Sequence, residues 1–143
     1  MFNNGSNEKG DLIMSIFNFS KKSHERLITA DPRLVEIALE AIKISKVDFG
    51  IPEFGGKRTN QEQAALYNKG ASNCDGVINK SKHQSGLALD VYAYVNGKAS
   101  WKTEHLTSVA VAMLQAASML GYKLSWGGLW TRFHDLPHFQ LEY

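Results

Sequence analysis

Between Leu87 and Tyr92 the chain alternates, with Leu87, Leu89 and Val91 on one side and Ala88, Asp90 and Tyr92 on the other. This is the period of a β-strand, in which successive side chains point to opposite faces. The strand buries its leucines and turns one carboxylate, Asp90, towards a cleft. An acidic group between apolar neighbours is costly unless it is paired or binds a metal. The fold must therefore do two things at once: pack the apolar face and supply a partner for Asp90.

Helices come first along the chain and strands later. Ser23 can cap a first helix. Asp31 caps the next, Pro32 takes its first position, and Leu34, Val35, Ala38, Leu39 and Ile42 make an apolar stripe. Val47-Asp48-Phe49-Gly50-Ile51 reads as a short strand. Thr59-Asn60-Gln61-Glu62 is a capping-box pattern, opening a helix that runs to Lys69 with Gly70 as its stop. A polar loop occupies 71–85. Asn96-Gly97 signals a hairpin turn leading to Ala99-Ser100-Trp101. A helix over 105–120 carries Val109, Ala110, Met113, Leu114 and Ala117 on one face and stops at Gly121. Tyr122 to Trp126 and His138 to Leu141 are the last strands. This order predicts an α+β fold: a small, mainly antiparallel sheet with helices packed on one side and a metal cleft.

At 143 residues the chain suits one domain, and its single cysteine, Cys74, permits no internal disulfide, which fits synthesis in a reducing cytoplasm. A formal net charge of +2, without a basic stripe interleaved with aromatics, gives no footing for a nucleic-acid partner. No stretch approaches the ~20 apolar residues of a membrane span. Leu12 to Phe19 is short, broken by Ser15 and Asn18, and followed by no small-residue cleavage site, so no signal peptide is expected. Residues 1–13 are polar and Asn/Gly-rich and are expected to be a disordered leader. Glu8-Lys9-Gly10-Asp11 is encodable by a purine-rich run ahead of Met14. Either Met14 is the natural start or the leader is a flexible tail; residues 14–143 then form the single domain.

Two segments hold the chemistry: Ser81-Lys82-His83-Gln84-Ser85-Gly86-Leu87-Ala88-Leu89-Asp90 and Asp135-Leu136-Pro137-His138-Phe139-Gln140-Leu141. His83, Asp90 and His138 offer two imidazoles and a carboxylate, the donor set of a catalytic zinc that keeps one position open. Asp135, three residues before His138, suits a general base. Arg58, with a fixed charge and planar donors, suits an oxyanion partner. On spacing alone this pattern is loose. Each histidine also reads as a surface or core residue, Asp135 as a turn cap, and Arg58 as a surface charge beside Glu53 or Glu62. Trp101, Trp126 and Trp130 read either as a carbohydrate platform or as core and cleft wall.

The motif His83-x-x-Gly86-x-Ala88-x-Asp90, preceded by Ser81 and followed late by Asp135-x-x-His138, resembles the zinc D-alanyl-D-alanine carboxypeptidase and dipeptidase superfamily. Within it the chain is most similar to the short L-alanyl-D-glutamate peptidases that serve as bacteriophage endolysins. The resemblance takes in the Asp31-Pro32 helix start, Gly56-Lys57-Arg58-Thr59 with Gln63 after it, Asn96-Gly97-Lys98, and Trp126-Gly127-Gly128-x-Trp130. It implies that His83, Asp90 and His138 ligate Zn2+, that Asp135 is the catalytic base, and that Arg58 polarises the substrate. Ser81, Gln63 and Trp130 fall at positions that shape the site or contact substrate. The base in this superfamily is Glu or Asp, and Asp135 has the shorter reach.

The implied activity is zinc-dependent hydrolysis of the L-Ala–D-Glu bond of peptidoglycan stems, leading to host cell-wall lysis. The implied protein is a monomer made in the host cytoplasm, released by a separate holin and not inserted in the membrane. The enzymatic alternative is D,D-carboxypeptidase action on terminal D-Ala-D-Ala. From another class comes a non-catalytic, metal-containing wall-binding module, against which Asp135 argues.

Overall fold

Helix α1, Lys21–Leu27, opens the part of the chain that the computed structural model describes, residues 17–142; the expected leader lies outside it. Its cap is Ser20, whose Oγ accepts from the Ser23 amide at 3.1 Å. Ser23, expected as the cap, is instead buried, and its hydroxyl accepts from the Ile51 amide at 2.9 Å. Both serines are cap-type residues; the tertiary bond to Ile51 takes Ser23. Helix α2, Pro32–Ile44, starts as expected, with the Asp31 carboxylate accepting from the Arg33 amide. Its buried face is Leu34, Ile37, Ala38, Ala41 and Ile42, so the stripe is rotated and Leu39 turns to solvent.

Strand β1, Asp48–Gly50, is followed by α3, Asn60–Asn68, whose capping box is complete: Glu62 N donates to Thr59 Oγ1 and Thr59 N to Glu62 Oε1. A short 3-10 helix, Lys82–Ser85, leads into β2, Ala88–Asp90. Strands β3, Tyr92–Val95, and β4, Lys98–Ser100, form the expected hairpin, with both turn residues at positive φ, Asn96 at 53° and Gly97 at 76°. Helix α4, Thr103–Leu120, begins two residues before the expected start and packs along α2. Strands β5, Leu124–Trp126, and β6, His138–Leu141, complete the order.

The fold is α+β, and its strands divide into two three-stranded antiparallel sheets, β1-β3-β4 and β2-β6-β5. The second sheet positions the site. In its β2–β6 register Leu89 stands opposite Phe139, and Asp90 opposite His138. Leu89 and Phe139 are both fully buried, each contributing about 1.5–3 kcal/mol of apolar burial. Alternation then turns Asp90 and His138 to the other face. A slip of one residue would exchange the two faces and unpack the core, so the same burial that stabilises the sheet fixes the two polar side chains as cross-strand neighbours.

Candidate metal and catalytic site

Three ligand-type atoms converge beside this sheet. His83 Nε2 and His138 Nδ1 each lie 3.2 Å from Asp90 Oδ1, and the donor atoms of all three residues fall within 4.8 Å of one another. Asp90 and His138 arrive by strand register. His83 arrives on the 3-10 helix, where Ser81 Oγ accepts from the His83 amide and Gln84 Oε1 accepts from the Ser81 amide. Gly86, at φ 79°, closes that turn and sends the chain into β2.

The outer hydrogen bonds orient both rings. His83 Nδ1 lies 2.9 Å from the Gly56 carbonyl, and His138 Nε2 lies 2.9 Å from Gln140 Oε1. A neutral ring donates its N–H to those acceptors and keeps its lone pair on the inward nitrogen, Nε2 for His83 and Nδ1 for His138. Gly56 has no room for a side chain, since a Cβ would lie 2.3 Å from the Arg26 carbonyl oxygen. Only glycine lets this carbonyl approach His83.

Two imidazole lone pairs and a carboxylate oxygen aimed at one point repel one another unless a cation lies between them. Without a cation, protons on the inward ring nitrogens take its place, and the local electrostatics carry the same demand. Burial works to raise the Asp90 carboxyl, but hydrogen bonds with His138 and His83 overcome it and hold the group far below the usual carboxylate range. Burial works to lower His138, yet the hydrogen bond and charge of Asp90 raise it above an ordinary imidazole. With two nitrogens and one oxygen the donor set fits a divalent metal that takes imidazole and carboxylate ligands.

Arg58 lies behind Asp90. Its Nη2 is 3.2 Å from Asp90 Oδ2, Nη1 donates to Gln63 Oε1 and Nε to the Phe54 carbonyl. With 12 % of its side chain exposed, it holds Asp90 in orientation and shows one edge to the cleft. Burial lowers its pKa, opposed by the charge of Asp90. Gln63 is wholly buried and also donates to Ser72 Oγ and the Cys74 carbonyl. Of its two expected roles, shaping the site or contacting substrate, this burial favours the first, exerted through Arg58 and the neighbouring loop.

Asp135 stands apart from the hydrogen-bonded cluster, with Oδ2 3.9 Å from His138 Nδ1 and 36 % of its side chain exposed. Burial and the nearby charge of Asp90 raise its pKa above the ordinary aspartate value. Its backbone is anchored twice: its amide donates to the Gly127 carbonyl at 3.1 Å, and its carbonyl accepts from the His138 amide at 3.1 Å.

His83, Asp90, His138, Arg58 and Asp135 line one cleft of about 430 Å³, joined by Ser81, Trp130, Phe133, Gln140, Cys74, Lys80 and Lys82. The Trp130 ring lies 5.3 Å from that of His138, so this tryptophan is a cleft wall. Trp126 is buried and donates to the Leu136 carbonyl, while Trp101 is half exposed beside Tyr92; the three do not form one platform. Sequence reading missed Gln140, although its spacing of two from His138 on a strand puts it on the same face. The Gly56 carbonyl carried no side-chain signal.

The chain is similar to known proteins over most of its length. The family model described as phage L-alanyl-D-glutamate peptidase matches residues 14–140. The L-alanyl-D-glutamate peptidase of Escherichia phage T5 is 37% identical over 123 residues, covering 83% of this chain and 88% of that protein. The peptidoglycan L-alanyl-D-glutamate endopeptidase CwlK of Bacillus subtilis (strain 168) is 31% identical over 116 residues, covering 73% of this chain and 67% of that one. The crystal structure of the Serratia marcescens L-Ala D-Glu endopeptidase ChiX superposes with a TM-score of 0.77 at 33% identity, covering 89% of this chain and 92% of that one.

Proposed function

The chain belongs to the family of phage L-alanyl-D-glutamate peptidases, and we propose that it hydrolyses the L-Ala–D-Glu amide of peptidoglycan stems with a zinc ion held by His83, Asp90 and His138. The observation that carries the zinc reading is the convergence of His83 Nε2, Asp90 Oδ1 and His138 Nδ1 with both rings oriented from behind. Zinc in such a site acidifies water and polarises a carbonyl.

The protein's own groups do the rest. Asp135, on the cleft side of His138, takes the proton of the attacking water and delivers it to the leaving D-Glu nitrogen. Arg58 keeps Asp90 fixed and offers its cleft-facing edge to the oxygen that gains charge. Ser81 holds the turn that presents His83, and Trp130 walls the cleft beside His138.

Residues 14–143 form the working domain. The protein acts as a monomer, is made in the host cytoplasm, and reaches the wall through a separate holin. No described helix is long and apolar enough to cross a membrane.

Two measurements test this. Metal analysis should find close to one zinc per chain, and chelation should abolish lysis until zinc is returned. Digestion of purified peptidoglycan should release new L-Ala carboxyl termini and D-Glu amino termini. Free D-Ala without those ends would point to terminal D-Ala-D-Ala cleavage and refute the assignment.

A further inference from the structure

Two lysines line the catalytic cleft without a part in this chemistry. Lys80 and Lys82 share it with Asp135, Trp130 and His138. Arg58 is also a cation there, tied by Asp90, Gln63 and Phe54, and its cleft-facing edge is already assigned to the oxygen that gains charge. Lys80 differs: it is exposed at the cleft rim, and among the described residues no carboxylate lies within ion-pair distance of its ammonium.

The loop that carries Lys80 and leads into the 3-10 helix that Lys82 opens is built to hold its shape. Asp75 Oδ1 accepts from the amides of Val77, Ile78 and Asn79, and the Gly76 amide donates to the Asn79 carbonyl. Gln84 Nε2 donates to the Gly76 carbonyl and to Asn60 Oδ1, joining the loop to the 3-10 helix and to α3. The lysine stems therefore start from a fixed rim.

The substrate's charges are unevenly placed. On the acyl side of the scissile amide, L-Ala and the lactyl group bear no ionised group. On the leaving side, D-Glu is joined onward through its side-chain carboxyl, so its α-carboxylate stays free one carbon from the leaving nitrogen. The two carboxylates of the cleft, Asp90 and Asp135, are offset by Arg58 and the zinc of the proposed site, so a further carboxylate brought in by substrate pairs with a cation at the rim.

We propose that Lys80, with Lys82 beside it, binds the α-carboxylate of the D-Glu residue and so favours stems that keep this group ionised over stems in which it is amidated. The proposal rests on the L-Ala–D-Glu reading above. Lysine acts here as a point charge without the paired-donor geometry of arginine, so the selection is by charge. Exposed pairs of this kind change affinity by about two- to fivefold, and partial desolvation under a bound substrate takes the effect to about tenfold.

The test is steady-state kinetics of the zinc-loaded enzyme on two synthetic stems, N-acetyl-L-Ala-γ-D-Glu-L-Lys and its counterpart with an α-carboxamide on the D-Glu residue. The wild-type protein should show a KM about three- to tenfold lower for the acid with similar kcat, and the difference should shrink as salt is raised. Lys80→Gln, and more completely Lys80→Gln with Lys82→Gln, should bring the acid-to-amide ratio towards one. Lys80→Arg should restore most of it. A loss of folding would lower both rates together and leave the ratio unchanged. Equal handling of both stems by the wild type, or a wild-type ratio in the folded double variant, overturns the proposal. Cleavage of neither stem by zinc-loaded wild type overturns the L-Ala–D-Glu reading itself.

Discussion

Replacing Gly127 by alanine should disable the enzyme without emptying its metal site. A Cβ at this position would lie 2.2 Å from the Asp135 carbonyl oxygen and 3.0 Å from both the Asp135 carbonyl carbon and Cβ. Gly127 is not among the glycines at positive φ, so alanine can adopt its backbone and the substitution tests space alone. Ordinary contact begins near 3.4 Å, so the Asp135 backbone must retreat by about 1 Å, the scale of misplacement that costs about 10²-fold in rate. That retreat also strains the anchoring bonds from Asp135 to Gly127 and from His138 to Asp135. Overpacking of this kind costs about 1–3 kcal/mol, or a Tm loss of about 2–12 °C for a chain of this size. The assay is initial rate on a soluble stem peptide per folded molecule, with zinc content and Tm measured on the same sample. We expect turnover down by about 10² or more, zinc retained and Tm modestly lowered. Wild-type turnover in a folded, zinc-loaded Gly127→Ala protein would refute the claim that this glycine sets the position of Asp135.

Asp135→Asn keeps size but cannot accept the proton; turnover should fall by about 10²–10⁴ with zinc content and Tm unchanged, whereas a mere turn cap would lose stability and keep its rate. Asp31→Ala removes the cap of α2 and should cost about 0.5–2 kcal/mol by denaturant titration at neutral pH. The Arg33 hydrogen bonds hold the Asp31 carboxyl below its ordinary value. Its contribution is therefore complete above the unfolded value of about 3.9 and is lost as pH falls through the lower folded value, so the gap between wild type and variant should narrow on acidification; a pH-independent gap would contradict this. A chain beginning at Met14, where the family match starts, should keep the turnover and Tm of the full chain, and a large fall in Tm would show that residues 1–13 pack against the domain.

What could be read in the sequence follows from how local its cause is. The Asp31 and Thr59 caps, the Asn96-Gly97 turn and the Gly121 stop depend on a few neighbouring residues, and each stands where it was expected. Ser23 was misread because a distant amide, that of Ile51, claimed its hydroxyl. The α2 face was rotated because packing against α4, not hydrophobicity alone, decides which side is buried. In the site, Asp90 was legible from its own strand. His83 lies seven positions before it, within reach of a local turn, whereas His138 is legible only as a residue type, since its meeting with Asp90 depends on the β2–β6 register across 48 positions. The division of the strands into two sheets, the buried bracket made by Gln63 and the backing of His83 by a backbone carbonyl have no local signature at all.

The middle position of β6 in the β2-β6-β5 sheet has a bearing on how such an enzyme is made. Synthesis runs from the N-terminus, so β2 and β5 leave the ribosome before the strand that joins them. A chain interrupted anywhere before His138 carries at most two of the three proposed ligands, no joining strand, and neither Leu89's partner nor Asp90's. Incomplete or prematurely terminated copies are therefore inert, and wall-cutting capacity arises in one step, when β6 enters between its neighbours.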